Sequence, residues 1–201
     1  MTMPGDEVEA KPVQARGYLG AAFRVAVEFI DQRGFSALIK EKVSPATAKL
    51  IDSPPFPLAW MPAGAMDELQ SALSVVGGRQ ACVDLGAAAG RKLGGSVIAP
   101  VLRMAQSLFG NTPVSVFGNL ERFYAMVLKG MTFRYEAAGP GSGVVVARAF
   151  GVGVPEALFD VTRGNLTYVF ELCGVEGTVG SPEKLSVDEQ GSEARYAVSW
   201  A

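Results

Sequence analysis

Residues 154–174 read VPEALFDVTRGNLTYVFELCG, and the reading of this stretch decides the fold. Leu158, Thr162, Leu166, Val169, Phe170 and Cys173 recur at helical spacing and lay an apolar stripe along one side. Pro155 suits a first turn, where its missing N–H loses no partner, and Glu156 sits near the positive end of the helix dipole. Gly174 supplies the stop. Strand-like runs lie on both sides. Before the helix, Met131, Phe133 and Tyr135 alternate with Thr132, Arg134 and Glu136, the period of a half-buried strand. Ala138–Gly143 makes a turn, and Val144–Ala147 leads a partner strand to Phe150. After the helix, the run from Gly177 to about Val187 is strand-prone, with a break at Gly180-Ser181-Pro182. Asp188–Ser192 is a polar turn, and Ala194, Tyr196, Val198 and Trp200 alternate in a last strand. The helix therefore crosses from one hairpin to another and covers one face of their antiparallel sheet.

Upstream the periodicity is helical. Residues 1–15 are polar and read as a flexible tail, leaving 16–201 as a single domain. Tyr18, Leu19, Ala22, Phe23, Val25, Ala26, Phe29 and Ile30 predict a helix ending near Gly34. Phe35, Leu38 and Ile39 mark a short one, and Ser44-Pro45 caps another through Leu50. Pro54, Pro55 and Pro57 force an extended connection. Trp60, at its end, is expected to plug the core between helical units. Met66, Leu69, Leu73 and Val76 predict a helix stopped by Gly77-Gly78, and Arg79–Leu93 predicts the next. A further helix is expected over 97–109. Thr112-Pro113 opens one whose apolar face carries Val114, Phe117, Leu120, Phe123, Tyr124, Val127 and Leu128, ending at Gly130. Helices first, then β-β-α-β-β, is an α+β order: an N-terminal helical bundle packed on an antiparallel sheet.

Gly86, Gly90 and Gly94 fall four apart, with Ala87, Ala88 and Ala89 between, and give one helix a flat face for a close neighbour. The stretch is not a phosphate loop. Its glycine spacing is wrong and no Lys-Ser/Thr pair closes it.

Composition narrows the chemistry. Apolar residues make up 49% and charged residues 19% of the 201, the balance of a chain with a real core. Eighteen basic against 20 acidic residues give a net charge of −2, and no basic stripe interleaves with aromatics, so nucleic acid is not an expected partner. No run reaches the roughly 18 apolar residues of a membrane span, and the N-terminus carries no charged-then-apolar leader; a cytoplasmic location is expected. The sequence has no histidine. That removes Ser-His-Asp and Cys-His catalysis, histidine-containing zinc sites and histidine-ligated haem. Cys82 and Cys173 are too few for a disulfide scaffold and read as small core residues.

Several of these pieces, in this order, resemble a family. They are Arg16-Gly17 before an amphipathic helix, Trp60-Met61-Pro62 before a Leu-rich one, and Asp84-Leu85-Gly86 in the small-residue helix. Further on come Lys129-Gly130-Met131, Glu171-Leu172-Cys173-Gly174 with Gly177, and the closing Tyr196–Trp200. The chain from about Arg16 to Trp200 resembles a domain of some 200 residues and unknown function found largely in myxobacteria. That domain is similar in turn to the vinyl-reductase-type domain, the haem-NO-binding domain and the small subunits of the transport-particle (TRAPP) trafficking complex. The resemblance implies helices on an antiparallel sheet with a lipophilic cavity between them, commonly a dimer, and binding or sensing rather than turnover. Two departures limit it. Haem ligation by histidine is not carried over, and of the several C-terminal cysteines that vinyl-reductase-type relatives often hold, only Cys173 is present.

Three functions stay open at this level. A non-enzymatic domain that binds a lipophilic small molecule, with no cofactor, would draw its pocket from Trp60, Phe117, Phe123, Tyr124, Tyr168, Phe170 and Cys173, although the same residues serve equally to fill a core. A dimeric scaffold or protein-docking module would use edge strands and the Gly86/Gly90/Gly94 face. An enzyme would need acid–base groups, for which Asp84, Glu121, Asp160 and Glu171 are available but read as solvated charges. An acyl chain carried on Cys82 or Cys173 is a subordinate idea taken from the trafficking relatives.

Overall fold

The chain enters the fold as a strand, where helical periodicity predicts a helix. β1 (Gly17–Leu19) precedes α1 (Gly20–Gln32), so Tyr18 and Leu19 belong to a sheet. Tertiary pairing overrides the local pattern here: β1 lies antiparallel between two partners from far along the chain, described below. The first N–H groups of α1 have no side-chain cap; Gly20 and Ala21 donate instead to the carbonyls of Ala59 and Pro57 in the proline-rich connection. α2 (Ser36–Lys40) and α3 (Pro45–Asp52) follow, the latter with the expected Ser44 cap on Thr47 N–H. The computed structural model describes residues 15–100, 103–104, 110–188 and 190–201. Nearly all of the 1–15 tail and most of the 97–109 helix lie outside them.

Trp60 does not plug the core. It begins β2 (Trp60–Pro62), an edge strand paired with β1, and is 41% exposed. The Lys129 ammonium sits 4.1 Å from its ring centre. The break expected at Gly77-Gly78 is present: α4 (Gly64–Gly94) is two helical segments joined at a kink, with Gly78 at φ 74°, ψ 176°, a non-helical conformation that L side chains rarely adopt. The long helix expected from Pro113 to Leu128 is broken too. α5 (Pro113–Phe117) ends at Gly118, and Asn119 at φ −115°, ψ 11° separates it from α6 (Leu120–Tyr124). The Asn119 side chain donates to Ser115 O at 2.8 Å, satisfying an end carbonyl of α5. Leu128 then pairs with β1 as part of β3 (Leu128–Lys129), completing a three-stranded sheet ordered β2-β1-β3.

The C-terminal half follows its sequence reading closely. β4 (Met131–Gly139) and β5 (Ser142–Phe150) form a hairpin, α7 (Glu156–Cys173) crosses, and β6 (Gly177–Val179), β7 (Glu183–Asp188) and β8 (Gly191–Trp200) complete an antiparallel sheet. Its order is β4-β5-β8-β6, with β7 also on β8. Register lines up one face: Tyr135, Val145 and Tyr196 make one row, Phe133, Ala147 and Ala194 the next. Tyr196 is fully buried and donates its hydroxyl to Phe159 O at 2.9 Å, tying α7 to the sheet. Gly174 closes α7 in the left-handed conformation, as expected.

The glycine face of α4 receives α7. A methyl group at Gly86 would lie 2.0 Å from Val161 O, and one at Gly164 would lie 1.9 Å from Val83 O. The two backbones therefore cross with no room for a Cβ on either side. The face that the docking reading offered to a partner is occupied within the chain. Arg79, just past the kink, grips Asp160 with two hydrogen bonds of 2.9 and 3.0 Å. Asp160 is 3% exposed, so the sequence reading of it as a solvated charge is corrected.

Candidate ligand-binding site

A cavity of about 120 Å³ lies among α1, α4, α6, α7 and the start of β1. α1 contributes Ala22 and Ala26; α4 contributes Met66, Gln70, Leu85, Ala89, Gly90 and Leu93. Phe123 and Tyr124 come from α6, and Leu158, Val161, Thr162, Tyr168 and Val169 from α7. The wall is mainly apolar, and among the described residues no Lys, Arg, Asp or Glu is part of it. Its members on the C-terminal halves of α4 and α7, Ala89, Gly90, Tyr168 and Leu172, are half-buried, while Tyr18, Met66, Gln70 and Leu85 are buried. The Tyr168 ring lies along the glycine face: a methyl at Gly90 would meet its Cβ at 2.8 Å, and one at Gly94 its Cε1 at 2.6 Å.

The polar groups in the wall divide into two kinds. Thr162 Oγ1 donates to Leu158 O at 2.8 Å and Asn165 Nδ2 to Val161 O at 3.3 Å, so both serve their own helix. Tyr18 Oη and Gln70 Oε1 are buried without a hydrogen-bond partner. Burial pushes the Tyr18 phenol well above its ordinary value; the Asp67 charge adds to this, and Arg16 and the neighbouring Gln70 side chain oppose it. Burial also raises Tyr124. Arg16 itself is committed to Asp67, through hydrogen bonds of 3.0 and 2.5 Å.

Phe123, Tyr124 and Tyr168, three of the residues expected at a pocket, meet at this cavity. Phe117 and Phe170 do not border it. They pack with Tyr135 and Trp200 in a separate cluster, with Phe117 stacked on Tyr135 at 5.6 Å and edge-on to Phe170 at 5.7 Å. Trp60 is outside on β2, and Cys173 is half-buried at the end of α7, also outside the wall. Burial pushes the Cys173 thiol up to about 11, and burial with the Asp160 charge does the same for Cys82. Both are therefore poor nucleophiles near neutral pH. Asp84 is paired with Arg33 and Glu171 with Arg91, away from Asp160, so these three carboxylates do not converge. Among the described residues no group of three or more Cys, Asp and Glu is placed to hold a metal ion, and no helix is long and apolar enough to cross a membrane. The sequence reading missed Tyr18 and Gln70. Gln70, one turn after Met66 on an otherwise apolar face, was the available signal; Tyr18 was hidden by its assignment to a helical stripe.

This arrangement of helices on an antiparallel sheet is similar to that of solved H-NOX domains. The H-NOX protein from K. algicida in its Fe(II) unliganded form is similar over 91% of this chain and 96% of that one, with a TM-score of 0.68 and 12% identity. A doubly substituted Tt H-NOX matches over 90% and 94%, with a TM-score of 0.65 and 10% identity. A third structure, described as modulating haem redox potential through protein-induced porphyrin distortion, matches over 90% and 99%, with a TM-score of 0.62 and 9% identity. At such identities the likeness is one of fold. Neither a protein-family model nor a curated protein matches the sequence.

Proposed function

We propose that this domain binds a small lipophilic molecule in the cavity between α1, α4, α6 and α7, as a sensory or regulatory module that performs no chemistry. The observation that carries the reading is the apolar cavity itself, preserved in a core that is otherwise closely packed. Haem, named for one of the structural neighbours, does not suit this wall. Iron in haem takes a His, thiolate, Met or Tyr ligand. The chain has no histidine, its thiols are held protonated, and burial disfavours the phenolates of Tyr18, Tyr124 and Tyr168, the last with help from the Glu171 charge, leaving Met66 alone among the described wall residues. Among the described wall residues no cation could meet the propionates, and about 120 Å³ is well below the roughly 300–1,000 Å³ of ordinary cofactor sites.

The separation of Asp84, Asp160 and Glu171 into private ion pairs supports a non-enzymatic role. Membership of the myxobacterial domain group, a cytoplasmic location and the absence of a nucleic-acid partner complete the proposal. They rest on the sequence pieces and the near-neutral charge. A second reading, a homodimer or protein-docking module, has its own support. Phe56 and Leu58, 69% and 66% exposed, lead into Trp60 on the edge strand β2. The test is native mass spectrometry of the purified chain with small apolar compounds, beside sedimentation. Saturable one-to-one adducts support the binding domain; no adduct with any compound, together with a tight dimer, supports the second reading instead.

A further inference from the structure

The cavity wall carries two unpaired polar atoms and they are complementary. Tyr18 Oη can donate, Gln70 Oε1 can only accept, and among the described residues neither is held in a hydrogen bond of good geometry, although the Gln70 side chain lies close to the phenol. The two side chains are neighbours, from β1 and α4, and both residues are more than nine-tenths buried. A buried hydroxyl or amide oxygen left unpaired is destabilising, and such atoms in native proteins are ordinarily met by another group or by water. Elsewhere the wall is mainly apolar; Thr162 and Asn165 bond within their own helix, and Tyr124 and Tyr168 present rings that end in a hydroxyl. From this we infer that the cavity takes a neutral, hydroxyl-bearing molecule about the size of a single six-membered ring, its hydroxyl accepting from Tyr18 and donating to Gln70.

The inference rests on the reading of the cavity as a binding site and narrows it to one chemical class. Size follows from volume. An apolar cavity of about 150 Å³ holds benzene, and this one measures about 120 Å³. Charge follows from the surroundings. A carboxylate would meet no cation in the wall, because the nearby Arg16 already holds Asp67 with two hydrogen bonds. An ammonium would meet no carboxylate in the wall and would stay in water. A hydrocarbon would fill the space but leave both polar atoms unmet. A single hydroxyl donates once and accepts once, which is what Gln70 and Tyr18 ask for.

The test titrates the full chain with phenol, benzene and benzoate, following chemical shifts, in parallel with a double variant, Tyr18→Phe with Gln70→Leu. Phenol is expected to bind about tenfold or more tighter than benzene, and benzoate not at all, because a site built to bond a hydroxyl discriminates against the analogue lacking it. In the double variant benzene binding is kept and phenol weakens at least about tenfold. The variant melts no lower than the parent, since two unpaired polar atoms are replaced by apolar ones of similar shape. Equal binding of phenol and benzene, tight benzoate binding, or an unchanged preference in the variant overturns the hydroxyl proposal while leaving the cavity a binding site. A variant that melts well below the parent also overturns it, because Tyr18 and Gln70 are then already satisfied. If none of the three compounds binds, the binding-site reading falls as well.

Discussion

Two groups of four aromatic residues do different things here. Phe117, Phe170, Tyr135 and Trp200 close on one another with ring centres 5.6, 5.7, 6.0 and 6.3 Å apart. Phe123, Tyr124, Tyr168 and Tyr18 surround a hollow. The difference lies in what stands across from the rings. In the solid cluster a ring meets a ring. In the hollow the same wall holds Ala22, Ala26, Ala89, Gly90 and Gly94, which return too little volume to fill it. Tyr124 joins the two halves of the molecule, stacking on Phe133 of the sheet at 4.1 Å while bordering the cavity. Whether an aromatic lines a pocket or plugs a core is thus decided by its opposite number rather than by its own identity.

The largest effect that would sharpen this contrast is expected in the solid cluster. Phe170→Ala removes a ring that touches Phe117, Trp200 and the Gly177 backbone position, and is expected to destabilise the fold by about 3–5 kcal/mol in urea melts. A loss under about 1 kcal/mol would mean that the cluster is not tightly packed. Next comes the helix crossing. Gly164→Ala drives a methyl into the Val83 carbonyl, a backbone atom that cannot rotate away, and is expected to cost about 3 kcal/mol. Gly94→Ala meets only the far end of the Tyr168 ring, which can swing away, and about 1 kcal/mol is expected. If the two glycines prove equal, the wall beside Tyr168 is as rigid as the crossing.

The third test enlarges one alanine in each region. Ala147, fully buried on β5 between Phe133 and Ala194, has no space beside it; Ala147→Leu is expected to cost about 1–3 kcal/mol. Ala26 borders the hollow, so Ala26→Leu is expected to stay within about 1 kcal/mol of the parent while abolishing binding of any compound that enters. Equal losses at the two alanines would remove the distinction between solid and hollow.

How much of this was legible beforehand follows from the range over which each feature is determined. α7 and the strands around it were readable because period, proline entry and glycine exit agree within about 20 residues. So was the Gly86/Gly90/Gly94 face, whose spacing states that something must come close. Features set by partners far along the chain were not readable. Tyr18 and Leu19 obey a helical stripe until Met61 and Leu128 claim their backbones. Leu128 likewise leaves a helical run to pair with Tyr18, and Trp60 lies outside because its strand has an edge to occupy. The cavity was half legible. Phe123, Tyr124 and Tyr168 were named and Tyr18 was not; a void has no residues of its own, and the alanines and glycines that create it look like helix-packing positions.

The smallest effect tests how the hollow side is held together. Arg91 and Glu171 join α4 to α7 beside the half-buried wall residues, through hydrogen bonds of 2.7 and 2.6 Å, and both side chains are substantially exposed. On the closed side, Arg79 holds a carboxylate that is buried. The Arg91 hydrogen bonds hold the Glu171 carboxyl below its ordinary value of 4.5, against a smaller opposing effect of burial. A lowered acid binds protons less readily in the folded state than in the unfolded one. Its contribution is therefore full above the ordinary value and is lost as the pH falls through the folded one. Solvent screening keeps that contribution below about 0.5 kcal/mol. Glu171→Gln should accordingly differ from the parent by a few tenths of a kcal/mol at about pH 7 in low salt, and converge with it near about pH 3 or in about 1 M salt. A difference that survives both acid and salt would show the pair to be packed into the fold as firmly as Arg79 and Asp160, and the two sides of α7 would then be alike in their electrostatics although one is hollow.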